Sequence, residues 1–208
     1  MYDFIRFIPD KKVDFGFKKY IVFLETTKIE RNEFFVAHLI NAEDTKELVS
    51  KLKKVKKTEI VGVFSSNVKV NREATMRRKV DVLLDGIERR LDYTTVRLAA
   101  EKDVLIEISL SKYLNVSGLK RSKLFENDLE LIRIINKFNT PFAITSAASD
   151  FYEMRSKRQI QDFFSFLGVD VKKSEKHIDK LIRKYYDPNF IIDGLEIVEP
   201  LRKNNCRG

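Results

Sequence analysis

In 208 residues the chain has no tryptophan, one cysteine, two histidines, four prolines and seven glycines. The single cysteine, Cys206, cannot form an intrachain disulfide and cannot by itself build a zinc site. The two histidines, His38 and His177, are not spaced as a metal pair, and HxH, HExxH and CxxC are all absent. His38 lies in an apolar run and reads as a core or strand-end histidine; His177 falls in the first turn of an expected helix and reads as surface-facing. With so few glycines, neither GxGxxG nor GxxxxGK followed by Ser or Thr occurs, and the nucleophile-elbow pattern GxSxG is missing too. No uncharged apolar stretch approaches the roughly 20 residues needed to cross a bilayer. Asp3, Arg6, Asp10, Lys11 and Lys12 leave no room for the apolar region of a signal peptide. These absences predict a soluble, cytoplasmic protein with no catalytic residue, metal or cofactor of its own.

What the chain does have is positive charge and core material. Lys and Arg total 40 against 31 Asp and Glu, a formal net charge of +9. Such a surplus repels itself, and a polyanionic partner is one common reason for keeping it: nucleic acid first, a membrane surface behind. The alternative is a thermophile's solvated ion-pair surface, since 34% of residues are charged. Hydrophobic residues make up 43%, with 16 Phe, so the chain is globular rather than disordered.

Apolar runs at Phe4 to Ile8, Tyr20 to Leu24, Phe34 to Ile40, Glu59 to Phe64, Val80 to Leu84, Val104 to Leu110 and Phe142 to Thr145 are too continuous for one-sided strands. They fit a parallel sheet covered by helices. Between most of them lies a helical pattern. Asp44 and Glu47 suggest a capping box ahead of Leu48, Val49, Leu52 and Val55; Asp92 can cap a helix bearing Val96, Ala99 and Ala100; Glu126 to Phe138 carries a third. Ser156 opens a helix with Ile160, Phe163, Phe164 and Leu167 on one face before Gly168 stops it, and Ser174 starts another with Ile178, Leu181, Ile182 and Tyr185. The first three strands lie too close together for full crossover helices. One α/β domain over residues 1–199, with a short basic tail over 200–208, is expected. Alternation alone leaves a closed barrel and an open doubly wound sheet equally open.

In a parallel sheet the loops after the strands share one face, and here they are cationic. The loop after the fifth run carries Arg89 and Arg90; that after the sixth carries Lys112, Lys120, Arg121 and Lys123; that after the seventh carries Arg155, Lys157 and Arg158. Lys and Arg there would neutralise phosphates and release counterions, giving affinity without a nucleophile. Thr145 to Ser149, which includes Ser146, is a run of small residues after a strand, able either to expose N–H groups to a phosphate or simply to pack tightly. Asp81, Asp85 and Glu107 could enter a barrel mouth as acid and base, or Asp85 could pair with Arg89 or Arg90.

The stretch LAAEKDVLIEISLSKYL (Leu98 to Leu114), then KRSKLF, then FAITSAASDFYEMRSKRQIQDFFSFLGV (Phe142 to Val169) resembles archaeal ribonuclease P protein component 3, the thirty-kilodalton subunit family. The resemblance spans roughly Val80 to Val169. It implies a TIM-like (β/α) barrel of about seven to eight mainly parallel strands, related to the polymerase and histidinol phosphatase barrels. It also implies assembly with ribonuclease P RNA, with protein component 2 and other protein components, and contact with precursor tRNA through the complex. The RNA would perform the magnesium-dependent removal of 5′ leaders. On this resemblance Arg121, Arg155 and Arg158 are RNA contacts, while Ser111 and Lys112 fall where the family often has Arg-Pro. The rival reading is a metal-dependent phosphoesterase on the same barrel. The expected RNA surface is therefore a rim of Arg89, Arg90, Lys120, Arg121, Lys123, Arg155 and Arg158, supported by Lys112, Ser146 and Lys157. It would read shape and phosphates, having no aromatic row on which to stack bases.

Overall fold

The computed structural model describes residues 1–9, 14–25, 33–56, 59–192 and 195–196. The basic tail 200–208 with Cys206, and Lys11 and Lys12, lie outside the described residues. Seven strands form one parallel sheet in sequential order: β1 (Asp3–Ile5), β2 (Tyr20–Leu24), β3 (Phe35–Asn41), β4 (Ile60–Phe64), β5 (Val82–Leu83), β6 (Leu105–Ser109) and β7 (Phe142–Thr145). The sheet curls until Ile5 meets Ala148 in a parallel bridge, with the Arg6 N–H donating to the Ala148 carbonyl at 2.8 Å. An open doubly wound sheet would leave both edge strands far apart; this one is a nearly closed TIM-like α/β barrel. All seven apolar runs of the sequence are strands. The first three pair in parallel, Asp3 opposite Tyr20 and Ile21 opposite Phe35, and no helix joins them among the described residues.

From β3 onward the crossovers are α1 (Thr45–Lys54), α2 (Val68–Thr75), α3 (Tyr93–Lys102), the single turn α4 (Ser111–Leu114) leading into α5 (Gly118–Phe138), and then α6 (Lys157–Phe166) and α7 (Val171–Tyr186) after β7. Each start has a local cause. The Asp44, Asp92 and Asp170 carboxylates accept from the first-turn N–H groups of α1, α3 and α7, and Ser156 and Gln159 form a reciprocal capping box on α6. Glu47 reaches the Glu43 N–H instead of completing a box with Asp44. The short α2, capped by Asn67, went unrecognised in the sequence because eight residues give too little periodicity. α5 begins at Gly118, two turns before the expected Glu126. α7 likewise begins ahead of the expected Ser174. A short antiparallel hairpin, β8 (Phe190–Ile192) with β9 (Leu195–Glu196), follows. No helix among the described residues is long and apolar enough to cross a membrane.

Side chains alternate across the strands as the pleat demands. Phe4, Ile21, Phe23, Ile60, Val82, Leu84 and Ala143 fill the barrel interior, while Val61, Val63, Leu83, Ile106, Ile108 and Ile144 face Leu48, Leu52, Val96, Ile132, Ile160 and Phe164 on the helices. Gly62 faces inward, where a Cβ would fall 2.6 Å from Phe23 and 2.7 Å from Leu84. Both neighbours are fully buried, so Gly62→Ala is expected to destabilise the protein by about 1–3 kcal/mol through overpacking, measured as a lowered urea midpoint with unchanged slope.

The seam between β1 and β7 would strand the outward N–H groups of β7, which an eighth strand would otherwise pair. Side chains satisfy them instead. The Phe142 N–H reaches His177 Nδ1 at 3.1 Å, the Ile144 N–H reaches Ser174 Oγ at 2.9 Å, and the Ser146 N–H reaches Asp3 Oδ1 at 2.7 Å. α7 lies along this seam and inserts Ile178, Leu181 and Ile182 into the interior cluster. His177 is consequently half-buried against β7 rather than surface-facing, and burial lowers its pKa below the ordinary 6.5.

Candidate nucleic-acid interface

Parallel strands place all their C-terminal ends at one mouth of the barrel, and the polar side chains there form a connected network. The inward Glu107 of β6 is fully buried; one of its oxygens takes the Arg6 guanidinium and the Asp85 N–H, the other the Thr145 hydroxyl. Asp85 pairs with Arg89 at 2.9 Å and with Lys112 at 2.7 Å, and Lys112 also pairs with Asp128 of α5 at 2.7 Å. Tyr113 donates its hydroxyl to Asp128. Burial alone would raise the Asp85 carboxyl, yet Arg89, Lys112 and the Ser109 N–H hold it below the usual carboxylate range. Asp128 moves the other way, pushed up by burial and by Asp85 against the opposing pull of Lys112. Burial and Asp128 together push the Tyr113 phenol up.

This arrangement matches the ion-pair reading of Asp85. The mouth carboxylates are already committed to Arg6, Arg89 and Lys112, whereas a hydrolytic metal site needs several anionic or imidazole ligands free to converge on one ion. Among the described residues no group of three or more His, Cys, Asp or Glu is placed to hold a metal. Asp81, at the other end of β5, accepts from the Val61 N–H, Lys184 and Tyr185, far from any acid–base partnership with Asp85.

Three candidates of the expected rim are buried. The side chains of Arg89 and Lys112 are 4% and 3% exposed, and both belong to the buried network rather than to a rim. Ser146 is fully buried. Its N–H, read from the sequence as able to cradle a phosphate, and its hydroxyl both bind the Asp3 carboxyl, so the donors of that turn are taken by the protein's own side chain. Burial, opposed by the two Ser146 hydrogen bonds, raises the Asp3 carboxyl to about 7 from its ordinary 3.8. An acid with a raised folded-state pKa stabilises most below its unfolded value, and that stability is lost as pH rises towards the folded value. Asp3→Asn keeps the acceptor for the Ser146 N–H and removes the titration. Relative to the Asn variant, the native protein is expected to lose stability between about pH 4 and pH 7, with a slope of up to about 1.4 kcal/mol per pH unit. Urea titrations of both proteins across that window check it; parallel curves refute it.

The remaining cations are spread over three segments, and only some of them meet. Lys120, Arg121 and Lys123 are exposed, on the opening turns of α5 rather than in a loop. Arg90 is exposed in the segment between β5 and α3. Arg155 is half-buried before α6; Arg158 is open to solvent beside Asp162 at 3.6 Å, and Lys157 pairs with Glu175 at 3.1 Å. Arg121 and Arg155 line one cavity between α4, α5 and α6, which joins two of the three expected segments. Arg90 borders a separate cleft on the other side of α5. The expectation of a rim without aromatics does not hold. Phe151 and Tyr152 are 50% and 86% exposed beside Arg155, and Tyr113, Phe125 and Phe163 line the cavity behind the two arginines. Sequence reasoning placed only Phe163 of these rings on a core stripe, and no spacing signal links segments so distant in the chain.

The chain can be placed among known proteins. The model of the family "RNase P subunit p30" matches residues 39–187. Ribonuclease P protein component 3 of Archaeoglobus fulgidus is 46% identical over 197 residues, covering 95% of this chain and 96% of that protein. The protein of the same name from Methanothermobacter thermautotrophicus is 31% identical over 157 residues, covering 72% of this chain and 64% of its own length. A chain in the cryo-EM structure of archaeal ribonuclease P with mature tRNA superposes with a TM-score of 0.78 over 98% of this chain and all of that one, at 19% identity, and so shares the fold. A family match across most of the barrel and 46% identity over nearly the whole length lead to one conclusion: the chain belongs to the RNase P subunit p30 family.

Proposed function

We propose that the protein is the RNA-binding p30-type subunit of ribonuclease P in the cytoplasm. It supports removal of 5′ leaders from precursor tRNA by a magnesium-dependent RNA catalyst and contributes no catalytic group itself. The family relationship carries this reading, chiefly the 46% identity to component 3 of Archaeoglobus fulgidus along 95% of the chain. The net charge of +9 and the exposed cations at the openings of α5 and α6 support it physically, because they offer phosphate contacts on a rigid scaffold. The partners are ribonuclease P RNA, protein component 2 and the other protein components, with precursor tRNA reached through the assembly.

Reconstitution tests the reading. The protein alone is expected to leave precursor tRNA uncut. Added with component 2 to its native ribonuclease P RNA, it should restore leader cleavage at magnesium concentrations too low for the RNA alone. Cleavage by the purified protein without RNA, or no effect on the RNA's activity, would refute it.

A further inference from the structure

Two kinds of arginine setting stand out among the described residues. Arg72, Arg77, Arg89 and Arg97 each face a carboxylate. Arg121 and Arg155 do not. Arg121 Nε donates to the Val116 carbonyl at 2.8 Å, and Arg155 Nη1 donates to the Tyr152 and Met154 carbonyls at 2.7 Å each. Neither has an ion-pair partner among the described residues. A carbonyl orients a guanidinium without neutralising it, so both groups are positioned with charge intact and with N–H donors left over, the state in which an arginine forks onto a phosphate.

Both border the same cavity of about 370 Å³, within the range of small-molecule sites. Its wall is aromatic: Tyr113 and Phe125 stack at 4.6 Å, and Phe163 lies 5.2 Å from Tyr113. The Asp128 carboxylate anchors the Tyr113 hydroxyl, which holds the wall in place before any ligand arrives. Among the described residues no acidic side chain lines the cavity, Leu114 stands at its edge, and the exposed Lys120 and Lys123 extend the positive charge along α5. A purely apolar occupant would use the wall but leave two oriented cations unanswered. A nucleotide answers both.

We propose that this cavity receives one unpaired nucleobase of a bound RNA, with the adjoining phosphate held between Arg121 and Arg155. The inference rests on the RNA-binding reading above and adds a base contact to a surface that would otherwise read only backbone. A base against rigid rings gains stacking energy irrespective of its identity, so the site prefers unpaired over paired RNA without strong sequence preference.

Two hairpin RNAs test it, identical in length and phosphate count, one with an adenine-rich loop and the other with the same loop nucleotides abasic. The native protein is expected to bind the base-bearing hairpin about tenfold tighter or more, with equal salt slopes for the two. With 2-aminopurine in the loop, fluorescence should fall on binding. Leu114→Trp fills the cavity from its edge while both arginines are kept, and should abolish the base preference, so that the two hairpins bind the variant with equal affinity. Equal affinity of the native protein for both hairpins overturns the inference and leaves the RNA-binding reading standing, and this arm needs no variant to fold. Binding of neither hairpin overturns both. If the hairpins bind equally and Leu114→Trp instead blocks uptake of a protein component during reconstitution, the cavity belongs to a protein side chain and the inference fails.

Discussion

Reversing the charge of Arg121, Arg155 and Arg158 together to Glu is expected to lower affinity for folded ribonuclease P RNA by on the order of 1,000-fold or more, since each charge-assisted hydrogen bond contributes about 1.5–3 kcal/mol and three are lost. The plot of log K against log salt should flatten by roughly 0.7–0.9 for each phosphate that is no longer neutralised. Arg158 is open to solvent, and its long approach to Asp162 lies on the helix surface, so its reversal should leave the fold alone. Arg155 also ties the Tyr152 and Met154 carbonyls, so circular dichroism and a thermal melt must accompany the binding data. Filter binding or fluorescence anisotropy at several salt concentrations provides the readout. Native affinity together with a native salt slope would remove this rim from consideration and turn attention to the Lys-rich outer face of α1, with Lys46, Lys51, Lys53 and Lys54.

The second large effect is on stability. Lys112 stands between Asp85 and Asp128, 2.7 Å from each, with its side chain 3% exposed. Lys112→Met keeps most of the apolar stem but leaves two buried carboxylates facing one another without their shared cation. Breaking a buried ion pair from one side costs about 3–5 kcal/mol, a large part of the roughly 5–15 kcal/mol that holds a domain folded. The destabilisation should shrink in acid, because Asp128, whose pKa burial already raises, takes up a proton and removes the repulsion. Adding Asp128→Asn to Lys112→Met should recover part of the stability at neutral pH. Urea unfolding of the two single variants and the double variant measures the coupling; additive effects would show that Lys112 stabilises the mouth by packing alone.

The two experiments separate cations that sequence reasoning treated as one set. Arg89, Lys112, Arg121 and Arg155 all follow strands and all read as candidates for a basic rim. Arg89 and Lys112 turn inward because Asp85, just after β5, faces the barrel mouth and Asp128 of α5 lies behind it, and a buried carboxylate draws a cation whose stem can reach it. Arg121 and Arg155, at the helix openings, donate to backbone carbonyls instead. Spacing cannot distinguish the cases, because the deciding partner of each comes from a distant segment.

Much else was legible locally. Each of the seven apolar runs became a strand, and the caps at Asp44, Asp92 and Ser156 opened the helices expected of them, because pleat, cap and periodicity are properties of adjacent residues. The segments around Leu98 to Leu114 and Phe142 to Val169 carried the family resemblance that the wider similarity established. Closure of the barrel was different. It depended on Ile5 meeting Ala148, on Asp3 occupying the Ser146 turn, and on α7 meeting the unpaired N–H groups of β7 with Ser174 and His177. Only the tertiary structure could decide these contacts, because each joins residues distant in the chain and the hydrogen-bonding need that each one meets arises only once the sheet has curled.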